Sequence, residues 1–196
     1  MRKFLFAALA ALPVVLLTND AALARKKQPE PDTESAPEKA GKSVPAPGGG
    51  KALELGKFGD WGAYSTTGAK GKVCYALGQP KSREPKGLNR DPGYLFISTR
   101  PGEGVRGEVS FIFGFPLKEG ATDSVAEAGD KSFELVAKGE NAWLADPQKE
   151  PVFVEAIRKT AKLLIKVPSK KGNDTTDTYS LTGLSQALDR VKKECP

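Results

Sequence analysis

The sequence predicts a mainly β domain of the sandwich type, with a short mid-domain helix and a C-terminal helix. Three patterns carry that expectation. From Leu53 onward, short stretches rich in β-branched and aromatic residues alternate with Gly, Pro, Asn and Asp breaks, the pattern of successive strands. One stretch puts Val109, Phe111, Phe113 and Phe115 on one face and Glu108, Ser110 and Gly114 on the other, interrupted by Ile112, as a strand with one covered face requires. Two later stretches repeat their apolar residues at helical spacing instead.

Taken in order, the expected strands are Lys57 to Thr66, Lys72 to Gln79, Gly93 to Thr99, Arg106 to Phe115, Ser132 to Lys138, Asn141 to Ala145, Leu163 to Val167 and Thr176 to Leu181. The first expected helix is Val152 to Leu164, where Phe153, Ala156, Ile157, Thr160, Ala161 and Leu164 share a face behind Pro151, a residue suited to a first helical turn. The second is Gly183 to Glu194. Its Leu184, Ala187, Leu188 and Val191 form one stripe that continues to Cys195, so helix geometry turns the thiol toward the domain. Lys192 and Lys193 suit the negative end of that helix.

Ahead of the domain the composition changes twice. Arg2 and Lys3, the apolar run Phe4 to Leu17, and Ala22-Leu23-Ala24 follow the order of a secretory signal peptide over residues 1–24. The run is shorter than the roughly 20 residues of a spanning helix, and no later stretch is long enough to cross a bilayer, so no integral membrane segment is expected after cleavage. Residues 25–52 are rich in Pro, Ala, Lys, Glu and Gly and lack aromatic residues, so they read as a disordered linker that cannot offset its chain entropy by burial. Residues 53–196 form the domain.

Export makes the cysteine count informative. Cys74 and Cys195 are the only two cysteines, and two thiols in an oxidising compartment form one bridge. No C-x-x-C motif is present, so the bridge reads as a structural staple. The chain has no histidine, which removes the side chain most used for proton transfer at neutral pH and for holding transition metals. No cofactor and no metal site is expected, and no enzymatic activity. A Ser-Lys hydrolase lacking histidine is the remaining catalytic alternative, with Ser82 beside Lys81 and Ser169 beside Lys170, both in segments that read as turns. The formal net charge of +6 is scattered, which argues against nucleic acid as a partner.

Two motifs bear on binding. Gly102-Glu103-Gly104-Val105-Arg106-Gly107 matches the dinucleotide fingerprint, but a strand and not a helix is expected after it, so its glycines read as hairpin turns. The long break from Pro80 to Pro92 carries Lys81, Arg83, Lys86 and Arg90, a possible contact surface for an anionic partner set against the plainer reading of a solvated basic loop.

A series of short motifs resembles a known family. Gly59-Asp60-Trp61, Cys74-Tyr75-Ala76-Leu77, Phe113-Gly114-Phe115-Pro116-Leu117 and Tyr179-Ser180-Leu181, followed by Gly183-Leu184, Ala187-Leu188 and Cys195, together resemble the invasion-associated locus B family of exported bacterial proteins. The likeness spans Phe58 to Cys195. It implies an immunoglobulin-like β-sandwich with a C-terminal helix, no established enzymatic activity, and a periplasmic or surface location. Family members often carry a further cysteine soon after the tryptophan, where this chain has Ala63, Tyr64 and Ser65. The expected function is an exported, periplasmic or secreted interaction module whose partner is an unknown protein or envelope component. A structural envelope protein that binds peptidoglycan or an anionic surface is the alternative.

Overall fold

The structure is a computed structural model that describes Ala46 and residues 51–196. The expected signal peptide and all of the linker except Ala46, Lys51 and Ala52 lie outside the described residues.

The described residues form eleven strands and two α-helices: β1 Leu53–Phe58, β2 Trp61–Gly68, β3 Gly71–Gly78, β4 Ser82–Glu84, β5 Tyr94–Arg100, β6 Val105–Ile112, β7 Val125–Ala128, β8 Lys131–Lys138, β9 Asn141–Leu144, α1 Glu150–Arg158, β10 Lys162–Pro168, β11 Asp174–Ser180 and α2 Leu184–Glu194. The domain is mainly β with a short mid-domain helix and a C-terminal helix, as the sequence pattern predicts. The strands are linked through one unbroken hydrogen-bonded ladder. They form one antiparallel series in the order β1-β2-β3-β5-β6-β9-β8-β7-β10-β11-β4. The reason lies in β8. Its first half, Lys131 to Glu134, bonds β7, whereas its second half, Leu135 to Lys138, bonds β9. One strand thus passes the ladder from one part of the sheet to the other, a recognised way of turning a corner.

Buried side chains from both parts enter one hydrophobic cluster that includes Trp61, Ile97, Phe111, Leu135, Phe153, Ile165, Tyr179 and Leu188. Strand β6 supplies Val109 and Phe111, with Phe113 just beyond it, all at most 1% exposed. Phe153 of α1 meets Phe111 and Phe133 edge-on, with ring centroids 6.3 and 5.1 Å apart, a favoured aromatic geometry. Glu150, in the first turn of α1, accepts the Val109 N–H at 3.0 Å, and burial pushes its carboxyl above the ordinary range.

Several elements differ from expectation, among them β6, which ends at Ile112 and not Phe115. The stretch Lys57 to Thr66 is not one strand: Gly59 and Asp60 make a two-residue turn between β1 and β2, with Phe58 opposite Trp61. Helix α1 stops at Arg158, because Leu163, Ile165 and Val167 alternate inward and β10 pairs with β7 on one side and β11 on the other. Strand β4 lies in the segment read from the sequence as a long break, and β7 in a stretch where the sequence pattern predicts no element. Gly102 and Gly104 belong to the turn, formed by a short 3-10 helix at Pro101–Glu103 with Gly104 in the left-handed region, whereas Gly107 lies within β6 at φ +75°.

Helix α2 buries Leu184, Ala187, Leu188 and Val191 and delivers Cys195 to Cys74 of β3 at a Cα–Cα distance of 6.0 Å. Lys72 of β3 and Glu194 form an ion pair beside the bridge, and Glu194 also accepts from Arg190. The helix begins where two backbones cross. Gly183 has φ +91°, and a Cβ there would sit 1.8 Å from the Phe58 carbonyl oxygen. Only glycine fits both requirements. The Asp60 N–H donates to the Thr182 carbonyl at 3.0 Å, and Trp61 Nε1–H to the Ser180 carbonyl at 2.9 Å.

Two outcomes follow. Cys195→Ser, or reduction, opens a link between residues 121 apart in sequence, which the chain-entropy model values at roughly 4 to 5 kcal/mol. Thermal unfolding should shift down by ten degrees or more, since about 1 kcal/mol corresponds to a few degrees in a domain of this size; an unchanged melting temperature would refute the role given to the bridge. Gly183→Ala should cost about 2 to 4 kcal/mol from left-handed strain and overpacking, measurable by urea unfolding against Gly172→Ala, where a Cβ meets nothing within 4 Å.

Candidate functional site

The segment from Pro80 to Pro92 has an ordered internal structure. Ser82, Arg83 and Glu84 form β4 at the end of the sheet, pairing with Thr178, Asp177 and Thr176 of β11. The pairing puts Arg83 beside Asp177, and Asp177 is only 1% exposed. Arg83 Nε donates to both carboxylate oxygens of Asp177, at 3.0 and 3.1 Å. Its two terminal nitrogens donate to the carbonyls of Asp91, at 2.8 Å, and Phe113, at 2.6 Å. One guanidinium therefore fastens the start of the loop, its end and the Phe113-Gly114-Phe115 segment to a single buried carboxylate.

Arg90 completes the arrangement from the other side of the loop. Its side chain is 7% exposed and approaches Asp177 Oδ1 at 4.0 Å. One terminal nitrogen donates to the carbonyls of Arg83, at 3.0 Å, and Pro85, at 2.9 Å. The guanidinium carbons of Arg83 and Arg90 each lie 5.8 Å from the Phe115 ring centroid, within reach of cation–π attraction. Gly114 belongs to the same joint. A Cβ there would lie 2.5 Å from the Asp91 carbonyl oxygen, and the Asp91 N–H donates to the Gly114 carbonyl at 3.0 Å.

Burial pushes the Asp177 carboxyl above its usual range, opposed by the hydrogen bonds and charge of Arg83 and by the charge of Arg90. The desolvation of one carboxylate is thus set against two guanidinium groups. Tyr179, two residues along β11, is fully enclosed, and burial raises its phenol well above the ordinary value.

The four basic residues read from the sequence divide into two pairs. Arg83 and Arg90 turn inward and build the loop. Lys81 and Lys86 turn outward. Lys81 is 57% exposed and pairs with Asp60 at 2.5 Å; its hydrogen bond, with a second from Ser180, holds the Asp60 carboxyl below the usual range. Lys86 is exposed, and its backbone N–H donates to Glu84 Oε2 at 3.1 Å.

Next to Arg90 the loop borders a cleft of about 280 Å³, whose walls include Leu88, Phe115, Ser169, Lys170 and Lys171. The far wall is the turn between β10 and β11, closed by Ser169 N–H to the Asn173 carbonyl at 2.8 Å and Asn173 N–H to Ser169 Oγ at 2.9 Å. The role of Asp177 was not legible beforehand: it falls in the expected strand Thr176 to Leu181, but nothing in that stretch marks it as the inward carboxylate that Arg83 and Arg90 meet. Among the described residues, no three Cys, Asp or Glu side chains converge as a metal-ligand set, and no helix is long and apolar enough to cross a membrane.

Removing the shared carboxylate is the decisive perturbation. Asp177→Ala leaves two guanidinium groups facing each other in a buried site and should cost about 3 to 5 kcal/mol. Lys86→Ala, on the exposed side, should stay within about 0.5 kcal/mol. Chemical denaturation of both variants checks the contrast, and similar losses in the two would refute the division of the loop into inner and outer faces.

No family model, curated protein or solved structure matches this chain.

Proposed function

We propose that the chain is an exported, non-catalytic interaction module, periplasmic or secreted, that meets an anionic envelope or host partner through the Pro80–Pro92 loop. The observation that carries this reading is the fixed presentation of the loop. Arg83 ties it to Asp177 through hydrogen bonds of 3.0 and 3.1 Å. Arg83 and Arg90 bind the backbone carbonyls of Asp91, Phe113, Arg83 and Pro85 at 2.6 to 3.0 Å, while Lys81 and Lys86 remain on its solvent side. A loop held in one conformation surrenders less entropy on association, and outward lysines steer an anionic partner toward it.

Export is supported by the order of basic, apolar and small residues in 1–24, by the bridge between the only two cysteines and by the resemblance to the invasion-associated locus B family. The absence of histidine from the sequence favours recognition over proton-transfer chemistry. Within the site the serine of the β10–β11 turn is engaged structurally, its Oγ accepting from Asn173.

The test is cosedimentation of the full chain with isolated cell envelope at low and high salt, beside the Lys81→Gln/Lys86→Glu variant. Binding should weaken with salt, as solvent-exposed charge attraction does, and fall at least tenfold in the double variant. Equal binding by variant and parent would overturn the assignment of the loop. Hydrolysis of an ester, peptide or glycoside panel, lost on one polar-to-Ala change, would overturn the non-catalytic reading.

A further inference from the structure

The cleft beside the loop has a more specific character than its lysines alone suggest. Its lining contains three cations, Arg90, Lys170 and Lys171, and no carboxylate. In a chain with 24 acidic residues against 30 basic ones, that one-sided lining is a local arrangement and does not simply repeat the composition. It is also reinforced from beneath, where Arg83 and Arg90 share the single carboxylate of Asp177 and leave one positive charge uncompensated at the cleft floor.

Arg90 is the anchor. Its side chain is 7% exposed, so its guanidinium is held in place without being sealed off. A guanidinium carries five N–H donors. Three hydrogen bonds, to the carbonyls of Arg83, Pro85 and, at 3.4 Å, Glu84, and an approach of Nη1 to Asp177 Oδ1 at 4.0 Å fix the group in place. With Lys170 and Lys171 beside it and no carboxylate in the lining, its charge favours an anionic group, of which a carboxylate is the one a peptide carries.

The rest of the lining specifies what should carry that carboxylate. Leu88 is one of the few large apolar side chains classed as exposed, at 36%, and it stands over the cleft with Phe115 and Pro116. Asn89 and Asn173 add amide groups suited to a peptide backbone. A cleft of about 280 Å³ falls near the lower end of the size of ligand sites, about 300 to 1,000 Å³, enough for one acidic side chain and an apolar neighbour but not for a large cofactor.

We infer that this cleft binds an acidic-apolar peptide segment of the partner, its carboxylate directed to Arg90, Lys170 and Lys171 and its apolar side chain packed on Leu88 and Phe115. The inference rests on the interaction-module reading and deepens it by naming the chemistry recognised. It requires no motion of the loop and no chemical step.

The experiment follows the methyl resonances of Leu88 in the full chain during titration with the blocked peptide Ac-Leu-Glu-Leu-NH2. Ac-Leu-Gln-Leu-NH2, Ac-Gly-Glu-Gly-NH2 and inorganic phosphate serve as comparison probes. Saturable shifts at Leu88 with the first peptide, weakened at least tenfold by either peptide change, are the expected result. Lys170→Glu/Lys171→Glu, a change of two exposed turn residues, should abolish the response while far-ultraviolet circular dichroism stays unchanged. The inference is overturned if Leu88 does not respond, if the Gln peptide binds as well as the Glu peptide, or if phosphate competes equally. Envelope binding that persists in the Lys170/Lys171 variant but fails in the Lys81/Lys86 variant would remove this inference alone. Loss of neither would remove the loop reading as well.

Discussion

The bond between Cys74 and Cys195 is the constraint on which the arrangement of the domain depends. It joins the third strand to the residue after the last helix, across 121 positions, and so encloses almost every described element in one covalent loop. Its effect is geometric as well as entropic. Helix α2 has only eleven residues, a length marginal for an isolated helix in water. Fixed at its end by sulfur and along its stripe by Leu184, Ala187, Leu188 and Val191, it becomes a lid over Trp61, Ala63 and Ile97, residues of the same hydrophobic cluster.

The short motifs behind the family resemblance converge at joints of the fold. Gly59, Asp60 and Trp61 sit against Ser180, Thr182 and Gly183, through two hydrogen bonds and a backbone approach that tolerates no side chain. Phe113, Gly114 and Phe115 sit against Arg83, Asp91 and Arg90 in the same way. Such residues are specified by closure of the sheet and the seating of one loop. Lys86, exposed on the same loop, is free of that demand, whereas Lys81 reaches back to Asp60.

What could be read from the sequence depended on how local the determining forces were. The alternation of Val109, Phe111 and Phe113 and the stripe of α2 are local periodicities, and both appear in the structure. The pairing of Cys74 with Cys195 followed because no third cysteine competes. The end of α1 was obscured because Ala161 and Leu164 continue a helical face on paper, while Leu163, Ile165 and Val167 gain more by joining a sheet between two partners. Strand β7 was hidden by its Val-Ala-Glu-Ala composition, since alanine and glutamate have weak strand preference. The inward turn of Arg83 and Arg90 could not be inferred from the composition of their loop, because the group that draws them in, Asp177, is 94 positions from Arg83. Strand β8, serving two neighbours in succession, was likewise invisible to a pattern that records only which side of a strand is covered.

Among the described residues the series of strands ends at β1 and β4, and the form of both ends bears on strand addition. At one margin β4 is three residues long and is followed at once by Pro85, which has no N–H to offer an added strand. At the other, the ladder between β1 and β2 slips between Glu54 and Gly56, and the irregularity lies among the charged side chains of Lys51, Glu54 and Lys57. Brevity, a missing donor, a bulge and charge are common means of blunting a sheet edge. Their presence at both ends makes polymerisation by strand addition unfavourable, so the domain can be concentrated without presenting a template for fibre growth.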